Sequence, residues 1–117
     1  MTTMTMEMKN LQQPDDVLRF EKGELATVSV GGVTVARAVF EPGWRWSTHI
    51  GAGMGETLCN VPHLGYVESG RLAIEMADGS RIEMGPGDTA VVPAGHDAWT
   101  VGAAPCVFLE FPPPTVP

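Results

Sequence analysis

From Leu25 to Phe111 the chain runs in short pieces of alternating or clustered apolar residues, most of them closed by glycine or proline. Leu25 to Val30 reads as a strand, and Gly31-Gly32 fits a tight hairpin turn. Val33 to Phe40 is the next strand, with Val33, Val35 and Arg37 on one face and Thr34, Ala36 and Ala38 on the other. Arg37 in that series implies that neither face is wholly dry. Further along, Leu72, Ile74 and Met76 alternate with Arg71, Ala73 and Glu75, and Asp78-Gly79 is a hairpin signal before Arg81 to Met84. Thr89 to Val92, His96 to Val101 and Cys106 to Phe111 complete the series. This makes about eight or nine short strands with no helical period, the pattern of a β-sandwich or barrel.

Length and composition narrow the class. A chain of 117 residues holds one domain and one core. Residues 1–16 read as a loosely held N-terminal segment, 17–111 as the domain, and 112–117 as a Pro-rich tail that cannot extend a ladder. Seven basic against fourteen acidic residues give a net charge of −7, which argues against nucleic acid and anionic membrane as partners. No apolar run approaches the roughly 18 residues of a spanning helix. The start, MTTMTMEMKN, lacks the basic and apolar regions of a secretory signal. Two cysteines without such a signal read as free thiols, and the expected location is the cytoplasm.

The candidate chemistry concentrates in one stretch, Pro42 to Gly70. It holds two of the three histidines, one of the two cysteines and two of the three tryptophans. It reads as a strand into His49, a Gly-rich loop, and a second strand from His63. Imidazoles on paired strands are the usual makings of a transition-metal site.

These residues resemble the motifs of the cupin family. Gly43, five residues and His49 match the opening of the first motif, and His63, six residues and Gly70 match its end. Gly51 stands where that motif has its second His, and His63 where it has Glu. Gly87, five residues and Pro93-Ala94-Gly95 match the second motif, whose His position is Ala98, while His96 lies two residues earlier. The resemblance implies an all-β, single-domain cupin fold, a double-stranded β-helix or jelly-roll barrel, expected to be closed or nearly so. It implies a divalent transition metal (Zn, Fe, Mn, Ni or Cu) held by a rearranged set of His49, His63 and His96. Cys59 shares parity with His63, so it reads either as a fourth ligand or as a small buried hydrophobe.

Strand parity counted from His49 puts Arg45 and Ser47 on the cavity side, where Arg45 could hold a carboxylate or stand at the barrel mouth bonded to a local acid. It puts Trp44 and Trp46 outside, against a second sheet or a second subunit, hence an expected homodimer. Glu56, after the glycine-rich loop, is a candidate general base or merely part of a surface loop. The leading expectation is a metal-dependent enzyme acting on a small polar molecule. The alternatives are a non-catalytic ligand-binding or sensing module and a metal-free relic of the fold.

Overall fold

A computed structural model describes residues 4–114. Its strands are β1 (Asp16–Phe20), β2 (Gly23–Val30), β3 (Val33–Phe40), β4 (His63–Ser69), β5 (Leu72–Met76), β6 (Arg81–Met84), β7 (Thr89–Val92), β8 (His96–Thr100) and β9 (Cys106–Phe111). They form a six-stranded sheet, ordered β1-β2-β3-β9-β4-β7, and a three-stranded sheet, ordered β6-β5-β8. All pairings are antiparallel. This is the expected all-β architecture with jelly-roll topology, with one correction: the two sheets are not joined into a closed barrel.

Alternation along the strands explains the core. Ala36 and Ala38 are buried on one face of β3, while Arg37 on the other pairs with Glu68 at 3.6 Å. Leu72 and Ile74 of β5 meet Ala98 of β8, Val67 of β4 and Phe108 of β9 in a cluster drawn from both sheets. Gly95 makes the turn into β8 with φ of +90°, a conformation open to glycine at no steric cost.

Pro42 to Met54 departs from the strand expectation. Trp46–His49 form a short helix, α1, and Gly51–Met54 a 3-10 turn. The Asp97 carboxylate reaches across from β8 and accepts hydrogen bonds from the Ser47 backbone N–H (3.0 Å) and the Ser47 hydroxyl (2.8 Å). It thereby satisfies an amide that the first turn of a helix leaves without a partner. The parity count fails for the same reason, since a period of two does not run through a helical turn. Trp44, 2% exposed, is stacked on Phe40 with ring centroids 3.9 Å apart, inside the fold. The outward tryptophan patch behind the homodimer expectation is therefore not formed by Trp44.

Residues 4–14 carry no strand or helix, yet Lys9 pairs with Asp15 at 2.9 Å and Glu7 accepts from the Gly31 N–H at 3.3 Å. Residues 1–3 and 115–117, the ends of the expected flexible segment and tail, lie outside the described residues. No helix among the described residues is long and apolar enough to cross a membrane.

Candidate metal centre

His63 opens β4 and His96 opens β8, so each imidazole stands at the start of a strand in a different sheet. Cys59 is tied to His96 by backbone bonds in both directions. Its N–H donates to the His96 carbonyl at 2.7 Å, and its own carbonyl accepts from Gly95 and His96 at 2.7 and 3.2 Å. The ligand atoms of Cys59, His63 and His96 all lie within 4.8 Å of one another. Sγ of Cys59 is 3.6 Å from Nε2 of His63, and the two imidazole rings meet edge-on at 5.1 Å.

The remaining ring nitrogens are held as a metal site needs them. Nδ1 of His96 lies 2.7 Å from the Pro93 carbonyl, and Nδ1 of His63 pairs with the Glu110 carboxylate. Donating from Nδ1 leaves the Nε2 lone pair of a neutral ring free to bind, and such partners fix ring orientation and tautomer. Burial alone would push the Cys59 thiol up, but the His63 and His96 imidazoles outweigh it and draw it down to about 6. Burial alone would likewise push His63 down, yet the Cys59 and Glu110 partners raise it to about 9. One thiolate and two imidazoles form a donor set that suits a transition ion.

His49 lines the same cavity but is not in this cluster. Its Nδ1 accepts the Arg45 N–H at 2.9 Å, folding the ring back over the start of α1. Arg45 turns away from the cavity. Its Nε donates to Asp97 at 2.8 Å, and its guanidinium lies 4.5 Å from the centre of the Trp99 ring. Glu56 is exposed and is not among the residues lining the cavity. Sequence reasoning passed over Glu110. The available signal was a lone acid in the apolar strand CVFLEF, with the same parity as Phe108.

The cluster opens onto a cavity of about 590 Å³ between the two sheets, lined in part by Phe20, Phe40 and Phe108 on one side and Leu72, Ile74 and Ala98 on the other. Trp46, expected outside, also lines it. The volume lies within the roughly 300–1,000 Å³ of ligand pockets.

Comparisons with known proteins agree with this fold. A structure similar over 93% of this chain and 76% of its own is a sugar phosphate isomerase of the cupin superfamily from Silicibacter pomeroyi, at 20% identity and a TM-score of 0.66. Oxalate decarboxylase from Bacillus subtilis aligns with 86% of this chain but only 28% of its own length, at 22% identity and a TM-score of 0.62. The 11S allergen from Cocos nucifera aligns over 84% and 32% of the two chains, at 20% identity and a TM-score of 0.60. At these identities the likeness concerns the fold. No curated protein matches the sequence. Residues 60–112 match the model of the cupin domain family.

Proposed function

We propose that Cys59, His63 and His96 hold a divalent transition metal, and that the chain is a metal-dependent cupin enzyme whose substrate enters the adjoining cavity. The observation that carries this reading is the convergence of the three donors within 4.8 Å, with both imidazoles fixed through their other nitrogens. Such an ion would supply Lewis-acid or redox chemistry at a position open to the cavity. The chain's own part is to hold the thiolate and two oriented imidazoles, to keep Glu110 as the acceptor for the His63 proton, and to surround the centre with apolar wall. A thiolate donor favours Zn, Fe or Cu over Mn.

Metal analysis of protein purified without an affinity tag tests this. Cys59→Ser, His63→Ala and His96→Ala should each lower affinity by at least about tenfold, and Glu110→Gln by about 10–100-fold through the ring it orients. His49→Ala should leave affinity unchanged. Full metal content in all three ligand variants would sink the reading.

A second reading rests on the alignment of Cys59, His63 and Glu110. A thiolate beside an imidazole that is itself oriented by a carboxylate is the arrangement of a cysteine nucleophile. Against it, the Cys59 N–H is already bonded to the His96 carbonyl and is not free to stabilise an oxyanion. Metal-free protein that hydrolyses model esters and loses this activity on Cys59 alkylation would favour it.

A further inference from the structure

We infer that the cavity takes an uncharged, largely apolar organic molecule, anchored at one end by a single oxygen donor such as a hydroxyl or carbonyl. This rests on the proposed metal centre only for the anchor; the rest follows from the wall. The polar lining residues are His49, Cys59, His63, His96 and Glu110, and no lysine or arginine lines the cavity among the described residues. Four of the arginines are engaged elsewhere. Arg45 is bound to Asp97, Arg71 to Glu83 and Arg37 to Glu68, while Arg81 lies over Trp99. The one carboxylate in the wall, Glu110, faces His63, in a chain whose net charge is −7.

Away from the metal centre, an anionic group in this space would lose its hydration and find no guanidinium or ammonium in return, a cost that apolar contact does not offset. Phosphate esters and dicarboxylates, the chemistry in the names of the isomerase and decarboxylase of similar fold, are therefore poorly matched to this wall. The mouth carries the same character. Leu18, Met54 and Val61 all line the cavity, yet they are 61%, 65% and 59% exposed. Three large apolar side chains held in water around one opening are what an apolar guest would cover.

Calorimetric titration with naphthol, glucose phosphate and oxalate, each against metal-loaded and chelator-treated protein, tests the inference. Naphthol should bind both forms, more tightly with metal present, and both anions should bind more weakly than naphthol to the chelator-treated form. Leu18→Glu at the mouth and Ala98→Phe in the wall should each weaken naphthol by about fivefold or more, with folding checked by circular dichroism. Tighter binding of either anion than of naphthol to the chelator-treated form overturns the inference, as does naphthol affinity unchanged in both folded variants. Naphthol binding by a protein that takes up no metal would remove the metal reading and leave this inference standing.

Discussion

Cys59 and His63 lie 3.6 Å apart, and each changes the titration of the other. The thiol falls from its ordinary 9.0 to about 6, and the imidazole rises from 6.5 to about 9. A raised imidazole contributes stability that is complete below about 6.5 and is lost as pH rises through about 9. A depressed thiol contributes stability that is complete above 9.0 and is lost as pH falls through about 6. The thiolate–imidazolium pair therefore exists between about pH 6 and 9. In metal-free protein, Cys59 should react with iodoacetamide down to about pH 6, whereas the Cys106 thiol, pushed up to about 11 by burial, should stay inert. Alkylation of Cys59 that begins only above pH 8 would contradict the pairing. The sequence made His63 and His96 legible because they sit at or beside family positions. It could not rank Cys59, whose role depends on a backbone bridge to a residue 37 positions away, the difference between 96 and 59.

The strands were readable from Leu25 onward because each is short, ends at a turn residue and keeps a period of two. Val33–Phe40, Arg81–Met84, Thr89–Val92 and Cys106–Phe111 have the limits that the alternation implies. Element α1 was not readable, since the group that supports its first turn is Asp97, on another element. Glycine positions carry different weights at this scale. Gly51, where the cupin motif has a histidine, is packed so that an added Cβ would collide with the Trp46 ring and the Glu56 carbonyl. A side chain is excluded there by packing. Gly70 has φ of +76°, and an added Cβ would meet the Pro105 carbonyl and lie 2.7 Å from Cα of Cys106. Gly95 has φ of +90° but open space around it. Gly95→Ala should therefore cost about 1–2 kcal/mol, from backbone strain alone. Gly70→Ala should cost about 3 kcal/mol or more, since strain and collision combine. Urea unfolding of the two variants checks the order, and equal losses would refute it.

At the scale of the molecule, the candidate ligands come from both sheets: His63 from the six-stranded sheet and His96 from the three-stranded one. An ion held between them would tie together two layers that share no continuous hydrogen-bonded ladder. Metal at about 100 times its dissociation constant should then stabilise the fold by about 2.7 kcal/mol, raising Tm by about 10 °C for a domain of this size. A chelator should reverse the shift, and Cys59→Ser should abolish most of it; an equal shift in that variant would place the ion elsewhere. Trp44 packs into the same apolar interior, and its buried indole N–H has no acceptor among the described residues. An indole kept from water and from hydrogen bonding emits toward the blue end of its range. With Trp46 and Trp99 replaced by phenylalanine, the colour of the remaining Trp44 fluorescence thus reports whether the two layers are closed, with no added dye.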